Sequence, residues 1–209
     1  MPVGIPVDAV DFFAELELHN ERAWWTANQE RWRRSVREPM ERLCDGLADE
    51  FGEAKLFRPY RDVRFSSDKT PYKTHQGAVV ATSPGVGLYV QVSSQGLLAG
   101  AGWWRPEPGQ LDAYRAAVLD DDSGEALASM VAVLEEDGAE VHGEELKTAP
   151  RGVDPGHPRI RLLRYRTVLV TVEHGVPDWL GTPEALERVR ADWRDCRPLI
   201  QWLDAHLAG

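Results

Sequence analysis

The chain has 209 residues, of which 43% are hydrophobic and 28% charged, and its 24 Lys and Arg face 34 Asp and Glu, for a formal net charge of -10. This composition excludes wholesale disorder, and the length suffices for a hydrophobic core without disulfide staples. An acidic chain repels the nucleic-acid backbone at long range, which disfavours general duplex binding.

The first quarter of the chain has the apolar spacing of helices. We expect Asp8 to cap a first helix and Asn20 to cap a second, because both residue types accept backbone N–H bonds at helix starts. Pro39 suits the first turn of a third helix, and Gly52 is the expected stop of that helix. The sequence therefore predicts three N-terminal helices.

In the middle of the chain the apolar residues recur with a period of two, most clearly over 86–93 and again over 97–104. Residues 61–66 and 76–81 are also strand-like. The connections are short, and parallel neighbours would need long crossovers, so we predict an antiparallel meander of about four strands. The glycines of 100–102 are expected to let another backbone or a ligand approach closely.

The last third is predicted to return to helices. Pro106 and Pro108 are expected to open a helical stretch whose apolar stripe runs from Leu111 to Leu119. A second helix is predicted over about 123–136, and then a strand over 167–172. Thr182 is the expected start of a long final helix, which Pro198 should kink or restart. The fold class is therefore α+β, a single domain over 1–209 with four to six mainly antiparallel strands packed with N-terminal, middle and C-terminal helices.

Targeting and cross-linking signals are lacking in this sequence. Cys44 and Cys196 each lie among helix-like apolar spacings, which predicts buried free thiols and neither a disulfide nor a metal knuckle. No stretch approaches the roughly 20 apolar residues of a membrane span, and no secretory signal opens the chain. We expect a cytoplasmic protein with no membrane partner; the oligomeric state stays open.

Positive charge is concentrated in two places, the basic segment (58–75) and the second loop (147–159). Arg and Lys with Tyr and Thr hydroxyls are the groups that bind phosphate or carboxylate, so we predict a pocket for an anionic small molecule built from both. Arg61 is instead expected to be structural and to pair with a carboxylate or a carbonyl. The predicted ligand-binding residues are Arg58, Tyr60, Arg64, Lys69, Thr70, Tyr72, Lys73, Lys147 and Arg151.

His75 and His157 end the two basic stretches, and either can serve as a general acid or base beside a bound anion or be structural. Asp62, Asp68 and Asp154 are the available carboxylate partners. The signatures of zinc proteases, nucleotide triphosphatases, serine hydrolases and dinucleotide-binding folds are missing from the sequence. No metal and no cofactor is therefore predicted.

Two other uses of the same charge stay open. The basic segment could serve a non-enzymatic adaptor that grips an acidic protein or a nucleic acid. Alternatively, the basic stretches could neutralise the acidic stretch 120–145 within the fold, although such an acidic run is typical of a solvated face. The paired tryptophans at 24–25 and 103–104 could stack a base or sugar, but their spacing favours core packing.

Residues 60–75 read Tyr-Arg-Asp-Val-Arg-Phe-Ser-Ser-Asp-Lys-Thr-Pro-Tyr-Lys-Thr-His. This run closely resembles the signature of a family of conserved hypothetical bacterial and fungal proteins, catalogued as a domain of unknown function. Residues 20–24, 105–108 and 146–152 with His157-Pro158 resemble further landmarks of the family. Val153 and Pro155-Gly156 depart from its pattern. The resemblance implies a single domain and transfers no reaction.

Overall fold

The structure, a computed structural model, describes residues 4–62 and 68–207. The helices in these ranges are α1 (Val7–Leu18), α2 (Arg22–Trp32), α3 (Glu38–Phe51), α4 (Gln110–Leu119), α5 (Asp121–Glu136), α6 (Ile160–Arg164) and α7 (Glu184–Leu207). The strands are β1 (Lys55–Leu56), β2 (His75–Ser83), β3 (Val86–Ser93), β4 (Gly96–Trp103), β5 (Glu140–His142) and β6 (Val168–Gly175). The predicted α+β class is confirmed.

The strands form one antiparallel sheet in the order β1-β2-β3-β4-β6-β5. Two-residue turns join β2 to β3 and β3 to β4, which confirms three strands of the predicted meander; the fourth, 61–66, lies mostly outside the described residues. Lys55 of β1 lies opposite Val79, and Val141 of β5 lies opposite Val170. These two edge strands have only two and three residues, too few for an alternating pattern to predict them.

The predicted alternation correctly identifies the buried side of β3, whose four apolar residues from Val86 to Val92 are buried. It also separates the tryptophan pair at the end of β4, since Trp103 is fully buried and Trp104 is 38% exposed. Gly102 has a φ of +141°, and a side chain there would collide with the backbone of Val168. The glycine of this strand therefore admits a neighbouring backbone.

The second and third predicted helices are continuous, because one π-helical turn (Arg33–Arg37) joins α2 to α3. Pro39 lies in the first turn of α3, as predicted, but does not start a separate helix. Proline lacks an N–H and its ring crowds the carbonyl four residues before it. A wider π-turn directly upstream, in which the Glu38 N–H bonds to the Arg33 carbonyl, accommodates the ring without a break.

Two predicted caps are wrong. The side chain of Asp8 lies in the first turn of α1 and binds Arg31 with Oδ1 (2.9 Å to Nε) instead of capping the helix. Asn20 does not cap α2 either, and its partner is described below. At the C-terminal helix, the Glu184 N–H bonds to Thr182 Oγ1 (3.2 Å), and α7 continues through Pro198 to its end without restarting.

Contacts divide the chain into two compact units. Unit 1 contains the chain up to Val80 with Tyr89–Ala99 and Glu173–Ala191, and unit 2 contains Ala81–Leu88, Gly100–Val172 and the chain from Asp192 onward. One domain over 1–209 stays a prediction. Cys44 and Cys196 are buried free thiols, as predicted. Among the helices of the described residues, none combines the length and apolarity that a bilayer span requires.

Candidate anion site on the basic segment

The described part of the basic segment contains a short two-stranded ribbon, in which Tyr60 lies opposite Tyr72. The backbone N–H groups of Arg61 and Lys73 bond across the ribbon at 2.9 and 2.8 Å and flank this pair. Side chains of such a directly opposed, non-hydrogen-bonded pair lie on the same face, and those of the next residues lie on the other. The ribbon therefore has a tyrosine face and, opposite it, a face that carries Lys73.

Asn20 attaches this ribbon to the N-terminal helices. Its Nδ2 donates to the Tyr72 carbonyl (2.9 Å), and its Oδ1 accepts from the Tyr72 N–H (3.1 Å). The backbone N–H and carbonyl of Tyr72 point away from Tyr60, because the two residues form a non-hydrogen-bonded pair. The Asn20 side-chain amide therefore makes the two hydrogen bonds that a neighbouring strand would otherwise make. Trp25 of α2 stacks on the Tyr72 ring with centroids 4.2 Å apart and planes 10° apart. The sequence predicted Asn20 as a helix cap. The only sign of another role was that Asn20 lies in 20–24, one of the landmarks of the resembled family.

The opposite face of the ribbon is cationic. Lys73 Nζ lies over the Phe57 ring, 5.0 Å from its centroid, and Phe57 is itself bonded to β2 by its N–H at Gly77 (2.9 Å). Burial lowers the pKa of Lys73, and the charge of Arg58 lowers that pKa further. Among the described residues, no carboxylate lies within ion-pair distance of Lys73 or Arg58. Two cations are thus held near each other without a counter-ion from the described chain.

His75, the first residue of β2, belongs to the same cationic surroundings. Burial lowers its pKa, and the charges of Lys73 and Arg61 lower it further. The imidazole is therefore neutral at pH 7 and able to accept a proton. A neutral imidazole is the form that a general base requires. The predicted catalytic role of His75 stays a prediction.

Arg61 has the scaffold contacts that the sequence predicted. It forms an ion pair with Asp68 and donates to Thr70 Oγ1 (2.7 Å). Asp68 in turn accepts from the Thr70 N–H (2.9 Å) and hydroxyl (2.8 Å). These bonds from Thr70, and then Arg61, lower the pKa of Asp68. The Thr70 hydroxyl, a predicted ligand, is engaged in this turn.

The other predicted ligands of the basic segment occupy different surroundings. Tyr60 is 50% exposed, whereas Tyr72 is 5% exposed beneath it. Lys69 is exposed at the surface. Arg64 and most of the predicted strand 61–66 lie outside the described residues. Arg61 and Asp62, the described residues of that range, are not in a strand, and the neighbouring β-bridge is formed by Tyr60.

The second loop belongs to unit 2, whereas the basic segment belongs to unit 1. Lys147 and Arg151 are exposed. His157 Nδ1 accepts the Arg159 N–H (3.1 Å), so the ring helps to hold its own turn. Asp154 accepts the Gly156 N–H (2.9 Å) in the same turn. The ligand roles of Lys147 and Arg151, the catalytic role of His157 and one pocket built from both stretches stay predictions.

Arg159 at the end of the second loop has a structural role. Its side chain is buried and donates to the carbonyls of Val118 (2.8 Å), Leu119 (3.2 Å) and Asp120 (3.3 Å), which end α4. Its charge suits the negative end of that helix. The following arginines pair with acidic residues of 120–145, in the pairs Arg161–Glu135, Arg164–Glu145 and Arg166–Glu144. These three arginines lie beyond the second loop. Within the loop, Arg159 pairs with Asp121 (3.3 Å) and Glu125 (3.9 Å), and neutralisation of 120–145 by the two basic stretches stays one of the open interpretations.

Two cavities of unit 1, of about 540 and 570 Å³, lie along α2, the π-turn and α3. Arg37 and Glu41 line both, and these two residues are paired with each other at 2.8 Å. Trp32 lies in the wall of the first cavity. Within the described ranges, no group of three or more His, Cys, Asp or Glu side chains is arranged to hold a metal ion.

One further residue near the ribbon was not predicted. Arg22, at the start of α2, lies one helical turn before Trp25. Its charge opposes the effects of burial and of Tyr60, which together raise the pKa of Tyr72. Arg22 therefore lies close enough to Tyr72 for its charge to act on that ring, and its place in the landmark 20–24 was the only signal in the sequence.

Comparison with known proteins adds a family and no activity. No curated protein and no solved structure matches the chain significantly. The sequence profile of a conserved hypothetical protein family, DUF2461, matches residues 8–202. This match extends from the first turn of α1 through the ribbon and the whole sheet into α7, and the chain belongs to the DUF2461 family.

Proposed function

We propose that the basic segment binds a small molecule that carries a phosphate or carboxylate group. The supporting observation is that Lys73 and Arg58 lie close enough for their charges to repel, while no described carboxylate pairs with either. A folded chain gains nothing from such an arrangement by itself, because like charges destabilise each other. A bound anion would remove the repulsion and add charge-assisted hydrogen bonds.

The remaining groups of the cationic face would orient the anion. Asp68 and Thr70 fix the Arg61 guanidinium, so that its position is preorganised. In any reaction at this site, His75 would accept a proton from the bound ligand, and its lowered pKa favours the neutral imidazole that this role requires. The proposal concerns binding and assigns no reaction.

The test is thermal unfolding in inorganic phosphate, compared with sodium chloride at equal ionic strength. Binding to the folded state alone stabilises the protein by about 2.7 kcal/mol when the ligand is at a hundred times its Kd. Lys73→Gln and Arg58→Gln should abolish this gain. Arg188→Gln is the matched control, since Arg188 is exposed on α7, where it pairs with Glu184 of its own helix and lies over the Trp179 ring, 5.7 Å from its centroid. No response of the wild type, or an equal response of the Lys73 variant, would refute the proposal.

The same experiment examines the other interpretations. Stabilisation by a long polyanion but not by phosphate, with steep loss at higher salt, would instead support an adaptor for an acidic protein or a nucleic acid. Lys147→Gln and Arg151→Gln test the predicted ligand roles of the second loop: a reduced response to phosphate supports those roles, and an unchanged response removes them.

A further inference from the structure

The tyrosine face of the ribbon presents a held aromatic ring to solvent. Tyr60 is half-exposed although its ring contacts Tyr72 at 5.6 Å and Trp25 at 6.4 Å between centroids. Tyr72 and Trp25 are stacked beneath it. The exposed ring is therefore the outer member of an aromatic cluster, inclined by 45° to the Tyr72 ring and by 55° to the Trp25 ring.

Its position is fixed by the backbone as well as by the aromatic cluster. The bonds on either side of the Tyr60–Tyr72 pair fix the ribbon, and Asn20 binds both backbone groups of Tyr72. A ring held before a ligand arrives loses little conformational entropy on binding. Beneath it, Trp25 Nε1 is a buried donor without an acceptor among the described residues, a defect that folded proteins seldom carry.

Arg22 supplies a positive charge on the same side. Residues three apart on a helix share a face, so Arg22 and Trp25 project from α2 together. The opposing effect of Arg22 on the pKa of Tyr72, which burial raises, agrees with this placement. In the described chain, no carboxylate lies within ion-pair distance of Arg22.

We propose that Tyr60 and Arg22 form a second subsite, which binds a flat aromatic ring bearing an anionic group. The ring stacks on the exposed face of Tyr60, and the guanidinium pairs with the phosphate or carboxylate. Lys73 lies on the opposite face of the ribbon, so this subsite stands independently of the anion site proposed above.

The test compares ligands of equal charge with and without a ring: phenyl phosphate against n-butyl phosphate, and benzoate against pentanoate, by calorimetry. Stacking on an aromatic side chain should favour the ring compound about tenfold in Kd. Tyr60→Leu should reduce this ratio to about one, whereas Tyr60→Phe and Tyr60→Trp should keep it or raise it. Arg22→Gln should weaken binding of both ring compounds.

Lys73→Gln is the control that separates the two proposals. It should lower affinity for inorganic phosphate and leave the ratio of ring to chain compounds unchanged. A wild-type ratio near one, or a ratio that survives in a folded Tyr60→Leu protein, would overturn the subsite. If Tyr60→Leu does not fold, Tyr60→Trp decides instead: loss of the preference for ring over chain compounds in that variant would overturn the subsite. The two ligand pairs show whether phosphate or carboxylate is preferred.

Discussion

The basic segment and the stretch from Lys147 to Arg166 hold similar numbers of cations in different surroundings. In the second stretch Arg159 is buried against three carbonyls, and the arginines after it meet carboxylates of 120–145. In the basic segment Arg61 is paired, whereas Lys73 and Arg58 lie near each other without a described carboxylate partner.

This difference shows that local excess of positive charge is a poor guide to a binding site by itself. A cation that caps a helix end or pairs with a carboxylate supports the fold, and its removal should cost stability. A cation held beside another cation lowers stability, so its presence needs a use outside the fold. The following variants test that distinction, from the largest expected effect to the smallest.

Arg159→Leu should show the largest loss. The substitution leaves the carbonyls that end α4 without their buried donor, and breaking such a charged network costs roughly 3 kcal/mol. Urea unfolding measures the change. Arg151→Leu, an exposed position of the same loop, is the control and should change stability by less than about 0.5 kcal/mol. Equal small effects would contradict a structural role for Arg159.

Asn20→Ala should be the next most damaging change. It removes both hydrogen bonds to the Tyr72 backbone, and we expect a loss of about 1–3 kcal/mol. Asn20→Asp keeps the acceptor for the Tyr72 N–H but cannot donate to its carbonyl, so its loss should lie between those of the wild type and Asn20→Ala. If Asn20→Ala leaves stability unchanged, the ribbon is not held by this residue.

His75 should make stability depend on pH. Its folded pKa lies below the usual value of 6.5, because burial and then Lys73 and Arg61 disfavour its charged form. The unfolded chain therefore binds more protons, and the free energy of unfolding should fall as pH drops through 6.5 toward the folded pKa. His75→Gln should remove this part of the slope in urea titrations at pH 5 to 8. An unchanged slope would show that other groups carry it.

Lys73→Gln should have the smallest effect on stability. Relief of repulsion from Arg58 offsets the lost contact with the Phe57 ring, and each is worth no more than about 1 kcal/mol. The free energy of unfolding should therefore stay within about 1 kcal/mol of the wild type or rise. A larger loss of unfolding free energy would show that Lys73 supports the fold, as Arg61 does. The basic segment would then not differ from the stretch 147–166 in how its cations are used.

Much of this fold followed from the sequence because its main elements are long and periodic. The alternation over β3 predicts a half-buried strand, which matches its burial, whereas β4 is buried at nearly every residue; the short turns between the strands fix their order. The edge strands β1 and β5 have no such period, since they exist only by pairing with β2 and β6. Asp8 and Asn20 were assigned to caps because their long-range partners, Arg31 and Tyr72, are invisible to local spacing.

The sequence predicted which residue types make up the candidate site, but not which face of the ribbon each residue lies on. The residue types of 58–75 predict an anion site. The expected position of Arg61 beside apolar residues predicted a carboxylate or carbonyl partner, and the partner found is Asp68. The separation of a tyrosine face from a cationic face depends on the Tyr60–Tyr72 register, which brings residues twelve apart into contact. Arg22 lies near Tyr72 only because the ribbon packs against α2, and local sequence spacing does not show that contact.

The most direct test of the central claim is the pKa of His75 measured by NMR titration with and without inorganic phosphate. Without phosphate the pKa should lie below 6.5, because burial and then Lys73 and Arg61 lower it. With phosphate the pKa should rise in the wild type, since an anion beside Lys73 favours the charged imidazole. Lys73→Gln should lose that rise, and Arg188→Gln should keep it. A His75 pKa that phosphate leaves unchanged would contradict an anion site on the basic segment.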